Sequence, residues 1–438
     1  MLSSLLFFRV IGKKGVSLFV LNQAKIQMDL YLITFLSELH KAASLTESHK
    51  DLFAEIERFF TLHLVTPQEM DRIPQGAYTI AFIASGGVER TVTQYFDCLP
   101  YPILLLCDGQ HNSLAASLEI AAWLRSKGMK AQVVHGTPEH MVAQLVENHQ
   151  AFTAQQALRG KRIGVVGHPS PWLVASNVDY LLAKRRWGVE FVDIPLEEVY
   201  CLFYQITDDE IGYAASVVAN RAQTCLEGSP EELLKAMRLY RALQLLCEKK
   251  HLHALTLSCF TLIEKLHTTG CLALSLLNDE GIPAGCEGDL QSIFSMLVAQ
   301  TLTGQPGFMA NPTRLDQERN ELVLAHCTVG TRMAQQFIIR DHFETRSGIA
   351  IQGLLPTGEV TLLKCAGECL DEYFVSTGEL LENTQYEHAC RTQIRLRLDK
   401  PVDYFTRSPL GNHHLLLLGN HEQAVNQLMQ LNGCTRME

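Results

Sequence analysis

Short apolar runs that each end in turn residues, alternating with segments of helical spacing, constrain this chain more than any other feature. Tyr78 to Ser85 (YTIAFIAS) and Pro102 to Gly109 (PILLLCDG) are two such runs. An apolar run without alternation suits a strand buried on both faces, as in a parallel sheet. The segment NSLAASLEIAAWLRSKG follows the second run. Its apolar residues recur at helical spacing between a start at Asn112-Ser113 and a stop at Gly128. AQVVHG then reads as the next strand, which makes a βαβ series and predicts an α/β domain. The series restarts at Arg162 to Gly167 (RIGVVG), passes through HPSPWLVAS, a helix and WGVEFVDIP, and predicts a second α/β domain. Helical segments then dominate from about Pro230 to Leu266 and from Asp289 to Leu302. After about Gly330 the texture turns to β: SGIAIQGLLPTGEVTLLKC with a turn at Pro356 to Gly358, TQIRLRLDKPVDYF and HHLLLLG, closed by a short helix at His421 to Leu431.

The expected fold class is therefore α/β, with two doubly wound α/β domains followed by a mostly β C-terminal domain. The expected boundaries are an N-terminal extension over 1–27, α/β domains over 28–160 and 161–330, and the β-rich domain over 331–438. The extension is apolar but broken by Arg9, Lys13 and Lys14. It offers no signal-peptide core and no cleavage site, and the native start is expected at Met28, where a first strand begins.

Composition narrows the function. A length of 438 residues, 47% hydrophobic and 19% charged, describes a globular chain of several domains. The net charge of −10, with no long Lys/Arg run, argues against nucleic acid as a partner. No window approaches 18 uninterrupted apolar residues, so no membrane span is expected. Thirteen Cys without CxxC spacing read as free thiols of a reducing compartment, which implies a cytoplasmic protein.

The segment Gly281 to Thr328 gathers Glu287, Asp289, Asn311, Asp316 and His326 on a stretch otherwise built like protein interior, and NHH follows at Asn412 to His414. Carboxylates and imidazoles drawn from distant segments are what an O/N site for a divalent cation requires. Each residue also has a plainer reading. Asp289 would cap the helix that follows it, Asn311 would be a turn residue before Pro312, and His326 would be a structural histidine at a strand end. His413 and His414 point to opposite faces of a strand, so only one of them can face a given site. Two weaker signals, ASGGVE and CDGQHNS, place Gly and polar groups after apolar strands, where open α/β sheets bind ligands. No GxGxxG, Walker or GxSxG motif is present.

The stretches ASGGVE, DGQHNSLAASLEI, VGHPSPWLVAS, CEGDLQSIFSMLVAQTLTGQPGFMANP, LAHCT and LGNHHLLLLG occur in an order that resembles the L-fucose isomerase / L-arabinose isomerase superfamily, mostly its fucose-isomerase-like members. The resemblance implies two α/β domains and a barrel-like C-terminal domain, a homo-trimer or homo-hexamer with sites near subunit interfaces, and a divalent metal, typically Mn²⁺. It puts the first acidic ligand on Glu287, the second on Asn311 and the C-terminal histidine on His414, with His326 as the counterpart of a further histidine in the arabinose branch. Asp289 and His413 are expected to contact the sugar. Asn311 departs from the family pattern, which has Asp or Glu there: an amide ligates through its oxygen but cannot shuttle a proton. The function expected is a metal-dependent aldose–ketose isomerase working by an ene-diol path on a pentose, 6-deoxyhexose or modified hexose. The alternatives are a non-catalytic carbohydrate-binding paralogue, or an epimerase or lyase of the same chemistry.

Overall fold

A computed structural model describes residues 28–38, 45–100 and 102–438. The extension and the start expected at Met28 concern residues 1–27, which lie outside the described residues. The fold is mixed α/β, with two parallel sheets and a closed antiparallel barrel in the C-terminal region.

The first sheet holds β1 (Met28–Phe35), β2 (Phe60–Val65), β3 (Thr79–Ile83), β4 (Ile103–Leu106) and β5 (Ala131–Val134). All pair in parallel, in the order 2-1-3-4-5. This is a doubly wound arrangement that reverses direction between β1 and β3. Separate apolar clusters cover its two faces, one around Leu30, Phe60 and Phe82 and the other around Ile33, Ile83 and Leu105.

The second sheet holds β6 (Arg162–Val166), β7 (Glu190–Ile194), β9 (Ala254–Leu257) and β10 (Ala284–Cys286), again all parallel, in the order 10-9-6-7. The chain reverses direction between β6 and β9, so the loops at their carboxyl ends flank a crevice. β9 is a correction to the helical reading of Pro230 to Leu266. A helix runs from Pro230 to Lys250, the strand follows, and a helix resumes at Cys259–Leu266. Its four residues, ALTL, are all buried, and so short an apolar run carries no period of its own.

β8 (Thr224–Cys225) joins β13 (Gln336–Arg340) and β14 (Ala350–Leu354) in a small sheet. The barrel comprises β11 (Phe308–Asp316), β12 (Glu321–His326), β15 (Gly358–Ala366), β16 (Glu372–Asn383), β17 (Thr392–Leu398) and β18 (His414–Leu418). Its order is 15-18-11-12-17-16, and pairing of β15 with β16 closes the ring. Closure leaves these six strands without a free edge. Short β19 (Thr435–Arg436) pairs in parallel with the first residues of β16, ahead of the stretch that pairs with β17. The barrel draws its first hairpin from residues upstream of Gly330, and one continuous hydrophobic core runs from the second sheet into the barrel.

The helix Leu290–Thr303 (LQSIFSMLVAQTLT) joins these two bodies. Its first ten residues are buried on every side, with polar Gln291, Ser292 and Ser295 among them. It packs on β9 and β10 with one face and on β15 and β18 with another.

Within the barrel, Glu321 is buried at the start of β12 and accepts from Arg395 (2.5 Å) and Arg397 (2.8 Å) on β17. Replacing Glu321 with Ala leaves both guanidiniums without this partner. The expected loss is about 1–3 kcal/mol of unfolding free energy, measured by urea denaturation; a change below about 0.5 kcal/mol would show that the pair contributes little.

Candidate metal and substrate site

The carboxyl ends of the second sheet meet the barrel where β10 ends. Glu287 follows β10 directly and has φ 63°, a left-handed conformation that costs a non-glycine residue roughly 1–2 kcal/mol. Gly288 continues the turn at φ 70°, and a Cβ there would lie 2.6 Å from the His168 carbonyl oxygen. Only glycine lets this turn pass beneath the loop after β6. Ser170 N donates to the Glu287 carbonyl (2.8 Å) and Gly288 N to the Leu257 carbonyl (3.1 Å), tying the turn to the loop after β6 and to the end of β9. Strain held this firmly is typical of functional positions.

Three side chains converge here. Ligand atoms of Glu287, His326 and His413 all lie within 4.8 Å of one another. His326 closes β12, and its Nδ1 shares a hydrogen bond with the Thr328 hydroxyl (2.9 Å). His413 precedes β18 and has no exposed surface; its Nε2 lies 3.6 Å from Glu287 Oε1. Trp172, on the loop after β6, donates from its indole nitrogen to Glu287 Oε2 (2.6 Å).

Behind this group runs a chain of buried charge. Asp289 caps the Leu290–Thr303 helix by accepting from Ser292 N (2.8 Å). Its other oxygen accepts from the Ser292 hydroxyl (2.8 Å) and from His413 Nδ1 (2.9 Å). Lys364 of β15 lies 3.8 Å from that oxygen, with both side chains out of solvent, and donates to the Ser292 hydroxyl (3.0 Å).

Electrostatics follow from this layout. Burial alone would raise the Glu287 carboxyl, but His413, His326 and Trp172 outweigh it and hold it at about 2. Burial likewise opposes ionisation of Asp289, and Lys364 and His413 overcome it, so its carboxyl lies well below the usual range. Burial disfavours a charged His413, while Asp289 and Glu287 raise it above an ordinary imidazole. Burial and the neighbouring His413 push His326 down to about 4.

The residues fit a divalent cation. His413 Nε2 is buried and finds no hydrogen-bond partner, while its Nδ1 is held by a carboxylate. That carboxylate–histidine pairing is the usual setting of an imidazole metal ligand. One carboxylate and two imidazoles are a donor set for a hard or borderline ion.

The other residues expected at the site are distributed around this group. Asn311, on β11, lines the same cavity as Glu287 and His326, and its Oδ1 accepts from Asn412 (3.2 Å). His414, expected as the histidine ligand, faces away. It is buried against Phe374, Tyr404 and Phe405, and shares a hydrogen bond through Nε2 with the Tyr404 hydroxyl (3.1 Å). Burial pushes His414 down to about 3. Asp289, expected to contact the sugar, stands behind His413 as a helix cap. Asp316 is at the far end of β11, where it accepts from Glu318 N and Arg319 N and organises the hairpin turn. Trp172, Lys364, His342 and Glu344 were not singled out from the sequence; the last two line the cavity. Trp172 carries a signal, since it lies in a polar loop just after an apolar strand. Lys364 carries none, because a lone Lys in a strand reads as an outward-facing residue. The enclosed space is small, about 80 Å³, against about 300–1,000 Å³ for a typical small-molecule site. It has room for an ion and a few waters.

No family model matches the chain. Among curated proteins it is similar to a sulfoquinovose isomerase of Alkalicoccus urumqiensis, 24% identical over 309 residues, 67% of this chain and 68% of that one. A sulfoquinovose isomerase of Clostridium sp. (strain MSTE9) is 28% identical over 222 residues, 49% of each chain. One of Priestia aryabhattai is 24% identical over 262 residues, 58% of each. The chain thus spans between about half and two thirds of the curated relatives it matches. Sugar isomerases are the common description. Among solved structures, a mutant of a D-threo-3-hydroxyaspartate dehydratase aligns at 14% identity over 91% of this chain and 82% of that one, with a TM-score of 0.14, too low to inform the fold.

The buried charge chain generates a stability test. Lys364→Met leaves buried Asp289 with His413 as its remaining cationic neighbour, and removing one partner of such a buried pair costs about 3–5 kcal/mol. Adding Asp289→Asn should recover part of that loss, because the charge is then gone. Urea unfolding of the two variants checks this; a single variant within about 1 kcal/mol of the parent would refute the coupling.

Proposed function

We propose that the chain is a metal-dependent aldose–ketose isomerase of the L-fucose/L-arabinose isomerase superfamily, acting on a modified hexose, a 6-deoxyhexose or a pentose. The observation that carries the reading is the convergence of Glu287, His326 and His413 beside Asn311 in one cavity. The named activity of the relatives supports the same reaction class.

Glu287, His326 and His413 would hold the ion, Mn²⁺ in the first instance. When bound, the cation supplies Lewis acidity that polarises a sugar carbonyl. Aldose–ketose conversion requires a proton to leave C2 and return at C1. Glu287 is ionised and reaches the cavity, so it is the first candidate for that proton. Asp289 is fully engaged by Ser292, His413 and Lys364, and Asp316 is out at the hairpin turn. Neither is available as a base. Glu344 is the other carboxylate lining the cavity. Asp289 fixes the His413 ring through Nδ1, which presents Nε2 toward Glu287. Trp172 fixes one carboxylate oxygen of Glu287, and its indole is half exposed at the same edge, so it is placed to meet a sugar face. A homo-trimer or homo-hexamer belongs to the same proposal.

One observation favours a second reading. Asn311 is a neutral amide already hydrogen-bonded to Asn412, which suits a binding protein that has lost acid/base capacity.

The test is a panel of aldoses, sulfoquinovose included, incubated with the protein and Mn²⁺ and read by ketose formation. Turnover is expected, and Glu287→Gln should reduce it by about 10²–10⁴-fold, the usual contribution of a general base. Loss in Glu344→Gln with Mn²⁺ binding intact would instead move the base to Glu344. Asn311→Asp should tighten Mn²⁺ binding, because a carboxylate attracts the cation more strongly than an amide. A wild type inactive on every aldose, with Asn311→Asp active on one, would favour the binding paralogue.

A further inference from the structure

The cavity that holds Glu287 is lined by an unusual number of thiols: Cys259, Cys271, Cys286, Cys327 and Cys390. Two of them touch. Cys286 Sγ lies 2.8 Å from Cys259 Sγ, against the roughly 2.05 Å of a disulfide bond. The contact follows from sheet register. Leu257 at the end of β9 pairs with Cys286 at the end of β10, and Cys259 opens the helix Cys259–Leu266 two residues beyond Leu257. Both side chains are 5% exposed, and both border the cavity, so a small solute can reach them while a protein thiol cannot.

We propose that Cys259 and Cys286 form a peroxide-sensitive pair, joined by hydroperoxides into a disulfide that displaces the cavity wall beside Glu287. Cys259, toward which the Cys286 thiol donates, attacks the O–O bond of hydrogen peroxide as thiolate. It becomes a sulfenic acid, and the second oxygen leaves as water. The neighbouring thiol then displaces the hydroxyl from that sulfur; the S–S bond forms and a second water leaves. The two sulfurs together lose two electrons, the peroxide gains two, and the two thiol protons end in the two waters.

The bond would change the site for a geometric reason. Glu287 follows Cys286 directly in a left-handed conformation and is tied through its carbonyl to the loop after β6 and through Gly288 to the end of β9. Drawing Cys286 toward Cys259 therefore moves the Glu287 backbone against those ties, and the carboxylate leaves its place opposite His413.

The experiment treats the reduced full chain with hydrogen peroxide, alkylates remaining thiols, digests it and maps cross-linked peptides by mass spectrometry. Mn²⁺ affinity, which rests on the metal-site reading above, is measured in parallel on the same samples. A Cys259–Cys286 peptide is expected, reversed by dithiothreitol, together with an at least roughly tenfold fall in Mn²⁺ affinity that dithiothreitol restores. Cys259→Ser should keep its own Mn²⁺ affinity through the peroxide treatment. The proposal is overturned if both thiols still alkylate after a dose that oxidises exposed Cys98, Cys201 and Cys225, or if the cross-link joins other partners. Failure of the untreated protein to bind Mn²⁺ would count against the metal-site reading, while the peptide map would still decide the disulfide.

Discussion

A carboxylate with no exposed surface must be neutralised where it stands, and Asp289 is where this molecule meets that demand. Its oxygens cap the helix that joins the second sheet to the barrel, hold the Nδ1 of His413 and face the ammonium of Lys364. These partners come from three different parts of the chain. Remove the carboxylate and the helix loses its cap, the imidazole loses its orienting partner and the lysine is left charged in an apolar setting. The candidate site and the junction between the two bodies therefore share a single fixed point.

The architecture is largely legible in the sequence because its signals are local. Runs such as YTIAFIAS and RIGVVG announce strands buried on both faces, and both are parallel strands in the fold. β9 escapes because four apolar residues between helices carry no period. Glu287 and His326 stand out as residues of unusual type on an apolar segment, and the structure brings them together. The choice between His413 and His414 is not legible from the residues. Adjacent residues on an extended chain face opposite ways, and which way is set by the barrel packing of Phe374, Tyr404 and Phe405 around His414. The motif match points to His414; the convergent group contains His413. Lys364 is beyond reach for a related reason: its counter-charge lies far away in sequence and meets it only across the helix–barrel packing.

Glu287 is held from every side. The turn that carries it is strained, Gly288 slides under a carbonyl, Trp172 fixes one oxygen and His413 approaches the other. Such constraint lets a carboxylate stay ionised in a 12% exposed position. It also keeps the carboxylate from swinging to compensate for a neighbour. With a neutral amide at Asn311, the negative charge facing the cavity comes from Glu287 and the more exposed Glu344.

Chain order gives the barrel a temporal meaning. Glu287, Asn311 and His326 fall on one stretch of sequence, but His413 arrives only after β15, β16 and β17 have been made. During synthesis the nascent chain therefore carries part of the convergent group with nothing to complete it. A product cut short before β18 would have the sheet, the helix and the first hairpin, with Glu287 and His326 but without His413 between them. Completion of the ring would thus be a checkpoint: the full group of three exists only in a chain translated to the barrel's last strand.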